Sequence, residues 1–271
     1  MIKQAIIPLA GLGTRLLPLT SVFPKELLPI NGKPSIEYIL QECIDAGINE
    51  IIFIISKRKK IIKDYFYKDK FYKKILNQKK DKRIREEYKK ILKFKKMIKF
   101  VYQNSPNGTG DAVLKAKKLI KNKYFLMLLP DDLIVNRNCS KSLISVHNKY
   151  NSSVMASMKV NKKTVSRWGI YRLKKKISNK NFLISGVIEK PSIKLAPSNK
   201  AIIGRYILPK TIFKKLINQK PSTGGEINIT DAIQSLINDK EKFIAHEFSG
   251  MYLDCGTIDG FINSNKILGK T

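Results

Sequence analysis

The first residues able to do chemistry stand near the start of the chain, in MIKQAIIPLAGLGTRLLPLTSVFPKELLPI. An apolar run through Ile6, Ile7 and Leu9 ends at Ala10 and a turn holding Gly11 and Gly13, with Thr14 and Arg15 directly behind. A glycine-rich turn after a strand presents backbone N–H groups to phosphate oxygens. The spacing excludes two common forms of that device. A dinucleotide fingerprint needs a glycine at position 16, which is Leu16, and a Walker loop needs a closing Gly-Lys-Ser/Thr, which is lacking. This turn has a hydroxyl and cations instead: Thr14, Arg15 and then Lys25. Such groups beside oriented N–H donors suit a highly charged phosphate ligand. Two further polar clusters, YQNSPNGTG and LPDD, also follow apolar runs.

The elements that must position these clusters alternate strand and helix. Apolar runs predict strands at Lys3 to Leu9, EIIFIIS (50–56), IKFVYQ (98–103) and YFLMLLP (124–130). PSIEYILQECIDAGI (34–48) has apolar residues at helical spacing and a stop at Gly47. A short helix near 59–66, a lysine-rich helical stretch over 68–96 and a helix at DAVLKAKKLI fall between the strands. Beyond 150 the strands SVMASMKV, GIYRL, FLISGVIEK and AIIGRYIL are denser, with helices near 209–218 and 228–238. This rhythm predicts an α/β fold: a doubly wound, mostly parallel but mixed sheet, Rossmann-like, with right-handed crossovers. Ligands in such sheets bind at the carboxyl ends of the strands, where all three polar clusters fall. The expectation is one domain over 1–271, with a lysine-rich helical insertion at about 57–97.

The net charge of +32 ordinarily suggests nucleic acid or an anionic membrane. Lysine supplies 45 of the 53 cationic residues, however, whereas specific nucleic-acid contacts lean on arginine. No strand face carries the arginine and aromatic pattern of a nucleic-acid binder, so no specific nucleic-acid partner is expected. Residues 57–100 hold 20 Lys/Arg against five acids, a concentration read as a solvated helical insertion. No apolar run reaches membrane-spanning length, and the start of the chain enters a strand without a leader. Cys43, Cys139 and Cys255 are odd in number and widely spaced, which fits a reducing cytoplasm rather than a disulfide scaffold or zinc site. His147 and His246 lie far apart without acidic partners, so histidine general-base chemistry is disfavoured.

GLGTR followed by PK resembles the signature of the nucleotide-sugar pyrophosphorylases. PKELLP, VIEKP, APSNKAIIGRYIL and GGEINITDAI are similar, more narrowly, to the bacterial UTP–glucose-1-phosphate uridylyltransferases. The likeness runs in order from Ile2 to about Phe261. It implies transfer of UMP from UTP to glucose 1-phosphate, giving UDP-glucose and pyrophosphate by in-line attack on the α-phosphorus. That chemistry asks for positioning and charge neutralisation, so the scarcity of histidine is no obstacle.

The resemblance also implies roles. Arg15 holds the leaving β- and γ-phosphates, and Lys25 neutralises charge at the α-phosphate. Ala10, Gly11, Gly13, Thr14 and Glu26 belong to the nucleotide site, and Gln103 with Gly108 reads the base, because an amide both donates and accepts. In that loop Asn107 stands where relatives often have lysine, and Asp111 where histidine is common. Asp131 is a Mg²⁺ ligand, a natural role for a strand-end carboxylate beside phosphate. Asp132 points the other way if the strand continues, toward a sugar hydroxyl. Asp254 is either the second metal carboxylate or the cap of its own turn. Gly169, Glu189, Lys190 and Gly204 serve the sugar phosphate, while Trp168 is a packing residue. The nearest competitor, a thymidylyltransferase, tends to have glutamine in place of Glu26 and lacks the APSNKAIIGRY block. A silent relative would have lost Arg15 or Lys25. A homo-oligomer, dimer or tetramer, is expected, with no membrane partner.

Overall fold

The computed structural model describes residues 1–79, 81–222 and 225–269. Lys80, in the lysine-rich stretch, Thr223, Gly224 (the first glycine of GGEINITDAI), Lys270 and Thr271 lie outside the described residues. From the start, β1 (Gln4–Pro8) leads through the GLG turn and the PKE turn to a small hairpin, β2 (Pro29–Ile30) and β3 (Lys33–Pro34). Then come α1 (Ser35–Asp45), β4 (Glu50–Ile55) and three helices, α2 (Lys60–Tyr67), α3 (Lys70–Gln78) and α4 (Lys82–Met97). β5 (Ile98–Tyr102), α5 (Thr109–Lys115), β6 (Tyr124–Leu128) and β7 (Asp132–Val135) follow. The second half comprises α6 (Cys139–Tyr150), β8 (Ser153–Lys159), β9 (Gly169–Lys176), β10 (Asn181–Glu189), β11 (Lys200–Pro209), α7 (Ile212–Asn218) and α8 (Ile229–Asn238). It closes with β12 (Phe243–Glu247), β13 (Met251–Asp254) and α9 (Ile258–Leu268).

Nine strands form one sheet in the order β5-β4-β1-β6-β11-β8-β12-β10-β9. The block β5-β4-β1-β6 is parallel throughout. Antiparallel pairing begins where β11 enters between β6 and β8. The mixed sheet expected from the sequence is therefore present, with its parallel character concentrated in the amino-terminal half. Strands covered on both faces read as unbroken apolar runs. Alternation then divides them: Ala5, Ile7, Ile51, Phe53 and Ile55 enter one core cluster, while Ile6, Ile52 and Ile54 enter the other. Helices α1 and α6 cover the first face through Ile36, Leu40, Leu143 and Val146. Helices α5, α7 and α8 cover the second through Val113, Phe213 and Ile233.

The lysine-rich segment is helical, but it is not only a solvated attachment. Ile62 and Phe66 of α2 and Ile91 and Phe94 of α4 are buried in the first core cluster. The lysines between them snorkel outward from an apolar stripe. All three cysteines are free and buried. Among the described residues, no helix is long and apolar enough to cross a membrane. The chain leaves β1 for β4 on one side and later returns to β6 on the other, which makes the carboxyl end of β1 a topological switch point. Crevices form there because the flanking connections diverge. The GLG turn, Gln103 and the LPDD segment all sit at the carboxyl ends of this parallel block.

Candidate active site

The centre of the crevice is an ion cluster. Asp131 Oδ2 accepts hydrogen bonds from Lys25 Nζ at 2.8 Å and from Arg15 Nη2 at 3.2 Å. Three separate segments thus converge on one carboxylate. Arg15 is placed by a short 3-10 turn (Thr14–Leu16) whose preceding residue, Gly13, has φ of 73°, a left-handed value that glycine adopts without strain. Thr20 Oγ1 closes that loop by donating to Gly13 O at 2.8 Å. Lys25 opens a second 3-10 turn, Lys25–Leu27, whose carbonyls at Lys25 and Glu26 accept from Ser35 Oγ at the head of α1. Burial opposes the Lys25 charge, but the neighbouring Asp131 and Glu26 carboxylates outweigh it and raise its pKa above the usual lysine range. Asp131 moves the opposite way: burial pushes it up, and the Lys25 ion pair and Arg15 more than reverse that. It stays ionised, as a carboxylate metal ligand must.

Asp132 faces different partners, although not by strand alternation: β6 ends at Leu128, Asp131 lies in the turn that follows, and Asp132 opens β7. Its Oδ2 accepts from Gly204 N at 2.8 Å, and its Oδ1 from Tyr252 Oη at 2.7 Å. Burial and the adjacent Asp131 charge push its carboxyl up to about 6. A Cβ at Gly204 would stand 2.5 Å from Asp132 Oδ2 and from Leu129 Cβ, so only glycine allows this approach. Asp254 lies opposite Asp132 in the β7–β13 pair. Its Oδ1 accepts from Gly256 N at 2.8 Å, and its Oδ2 from Thr257 Oγ1 at 3.3 Å. It therefore caps its own turn while standing beside the cluster. Cys255 N donates to Asp131 O at 2.8 Å, which ties that turn to the Asp131 backbone.

The loop after β5 brings Gln103 and Gly108 together. Gln103 Nε2 donates to Asp111 Oδ2 at 2.7 Å and to Gly108 O at 3.2 Å. A carboxylate only accepts, so Asp111 fixes which end of the amide is nitrogen. Gly108 has φ of 99°, and a Cβ there would stand 2.6 Å from Ile227 O. Gly169, Glu189 and Lys190 meet where β9 begins and β10 ends. A Cβ at Gly169 would stand 3.0 Å from Glu189 Oε2, so its absence leaves room for that carboxylate, whose pKa burial raises. Lys190 follows in the left-handed region at φ of 45°, with its N–H donating to Trp168 O. Trp168 packs edge-on against Tyr252.

Glu26 is placed differently from a free ligand acceptor. Both its oxygens accept from Lys59 Nζ, at 2.8 and 2.9 Å, and the pair is buried. Ala10 is buried just past the end of β1, and Gly11, Thr20, Ser21, Ser56, Arg58 and Lys59 line a small hollow of about 50 Å³ beside it. Sequence reasoning missed Lys59, because one lysine in KRKK looks like its neighbours. It also missed Gly256, where a Cβ would stand 2.7 Å from Asp131 Oδ2 and 2.8 Å from Arg15 Nη2. The third omission was the buried pair behind the cluster, Arg205 with Glu42.

This geometry gathers two cations, Arg15 and Lys25, on one ionised carboxylate, Asp131, beside the GLG turn. The nucleotidyl transferase family model matches residues 4–271. The chain belongs to the nucleotidyl transferase family. A UTP–glucose-1-phosphate uridylyltransferase of Mycoplasma pneumoniae is 37% identical over 97% of this chain and 91% of its own length. Among solved structures, a UDP-glucose pyrophosphorylase complexed with UDP-glucose superposes with a TM-score of 0.87 at 34% identity, covering 100% of this chain and 99% of the other. A UTP-bound enzyme of that kind from Acinetobacter baumannii gives 0.90 at 33% identity, covering 99% and 94%. The chain is thus a nucleotidyltransferase by family, and Arg15, Lys25 and Asp131 form the ion cluster of its crevice.

Proposed function

We propose that this nucleotidyltransferase moves UMP from UTP to glucose 1-phosphate, releasing pyrophosphate and forming UDP-glucose. The observation that carries the reading is the convergence of Arg15 and Lys25 on Asp131 beside the GLG turn. An oxygen of the sugar phosphate attacks the α-phosphorus of UTP, the bond to the β-phosphate oxygen breaks, and pyrophosphate carries the electron pair away. Backbone N–H groups around Gly11, Gly13 and Thr14 orient the triphosphate, and Arg15 neutralises the leaving phosphates. Lys25 stands where charge grows on the α-phosphate. Its raised pKa keeps the cation available in the transition state.

The carboxylates of Asp131 and Asp254 fit a hard cation such as Mg²⁺, which takes one or two carboxylates plus phosphate and water oxygens. When bound, Mg²⁺ supplies charge neutralisation to the phosphates. Gln103, its nitrogen committed to Asp111 and Gly108, offers its amide oxygen to the uracil N3–H. Asp132, Gly169, Glu189, Lys190 and Gly204 surround the hexose phosphate.

The test is pyrophosphate release with Mg²⁺ and glucose 1-phosphate, offering UTP, dTTP, ATP and CTP separately. UTP-selective turnover is expected, with a kcat loss of about 10²–10³-fold in Lys25→Ala, the scale seen when one transition-state electrostatic group is removed. A folded wild-type protein silent with every nucleotide refutes the reading.

A further inference from the structure

Lys59 is the one member of the KRKK run that turns inward. It closes the 3-10 turn after β4 (Lys57–Lys59), one strand over from the GLG turn, and its side chain enters the protein. Its Nζ is held by both oxygens of Glu26, and both residues are buried. Burial depresses the Lys59 pKa despite the Glu26 pairing, and the Lys25 charge adds to that depression. Removing one partner of such a buried pair leaves the other as an uncompensated charge. Glu26 is the residue after Lys25, on the same short turn, and its carboxylate acts electrostatically on Lys25. Lys25 therefore has two carboxylates within influence. It makes its hydrogen bond to Asp131, across the crevice, and not to Glu26.

We propose that Lys59 is a positioning residue for Lys25, acting by occupying Glu26. The inference rests on the uridylyl-transfer reading. Glu26 saturated by Lys59 leaves Lys25 free to reach Asp131 and the phosphates. Glu26 without Lys59 is a buried, uncompensated carboxylate that still acts electrostatically on Lys25, its neighbour on the same turn. It then draws Lys25 out of line. Ser35 anchors the turn's carbonyls and leaves the side chains to be set by this charge arrangement.

A double-mutant cycle on the full chain tests this, with kcat and the UTP KM read from pyrophosphate release at a temperature where thermal melts show each variant folded. In the wild-type background, Lys59→Met is expected to lower kcat 10- to 100-fold while the UTP KM moves less than 3-fold. In a Glu26→Gln background, whose own activity sets the baseline, the same Lys59→Met change is expected to cost less than 3-fold. An equal loss in both backgrounds overturns the proposal, because Lys59 then acts on something other than Glu26. So does a folded Lys59→Met with wild-type kcat. If Lys59→Met does not fold, Lys59→Arg, which keeps a cation on Glu26, is expected to stay within 5-fold of wild-type kcat. A larger loss there overturns the proposal. Wild-type protein inactive with UTP sinks the uridylyl-transfer reading along with this one. Active wild type without the background-dependent loss sinks this one alone.

Discussion

Arg205→Met removes a fully buried guanidinium that holds the Leu129 and Gly204 carbonyls beside the Asp131-Asp132 segment. Arg205 donates through Nε to both Glu42 oxygens, through Nη2 to Glu42 Oε2 at 2.8 Å, and through Nη1 to Leu129 O and Gly204 O. Burial alone disfavours its charge, but Glu42 more than offsets this and raises its pKa above the ordinary arginine range. After substitution Glu42 retains Ser140 as a donor, yet its carboxylate is buried and unpaired. Breaking a buried pair by deleting one partner costs about 3–5 kcal/mol. At roughly 2–4 °C per kcal/mol for a chain near this size, the melting temperature falls by about 6–20 °C. Urea and thermal unfolding at pH 7.5 measure it. The double variant Arg205→Met with Glu42→Leu removes both charges and is expected to recover most of the loss. A single-variant cost under about 1 kcal/mol refutes the reasoning. A double variant as unstable as the two singles summed does so too, since the penalty then comes from packing and not from an orphaned charge.

Gly256→Ala places a methyl 2.7 Å from Asp131 Oδ2 and 2.8 Å from Arg15 Nη2, so one or both of these side-chain ends must shift. A misplacement of this order is expected to lower kcat about 10- to 100-fold with the melting temperature nearly unchanged; unchanged kinetics show that Arg15 does not need Asp131. Gly108→Ala meets both a positive φ and Ile227 O at 2.6 Å, so selectivity for UTP over dTTP should weaken along with stability, as competition assays would reveal. His246, buried and beside Lys180, has its pKa depressed below 6.5, and its Nδ1 pairs with Asn181 Oδ1. The unfolded chain then binds the proton more readily, so stability is full above about pH 6.5 and is lost as pH falls toward the depressed value. His246→Asn should flatten the urea-midpoint slope over that interval relative to wild type, and an identical slope removes His246 as its source.

The chemistry-bearing residues were legible because their local signals are strong. Gly11, Gly13, Arg15 and Lys25 are set by a strand, a turn and two short 3-10 segments that lie within 30 residues of one another. Asp131 and Asp132 part for a reason the sequence did not show: the strand stops at Leu128, and a turn rather than extended backbone carries Asp131 into β7. Apolar periodicity gave the buried strands and α1, since burial on both faces leaves an unbroken run. The antiparallel entry of β11 beside β6 was beyond reach, as was the β7–β13 pair that sets Asp254 opposite Asp132. Both join segments some 80 to 120 residues apart that carry no local mark of their partner. Lys59 shows the limit most sharply. Its side-chain type and neighbours describe a solvated lysine, and only the fold, by bringing the end of β4 against the PKE turn, makes it a buried counter-charge. Side-chain chemistry and short-range conformation were written in the order of residues. Which charges meet was decided by the sheet, because electrostatic partnership depends on distances that tertiary packing alone creates.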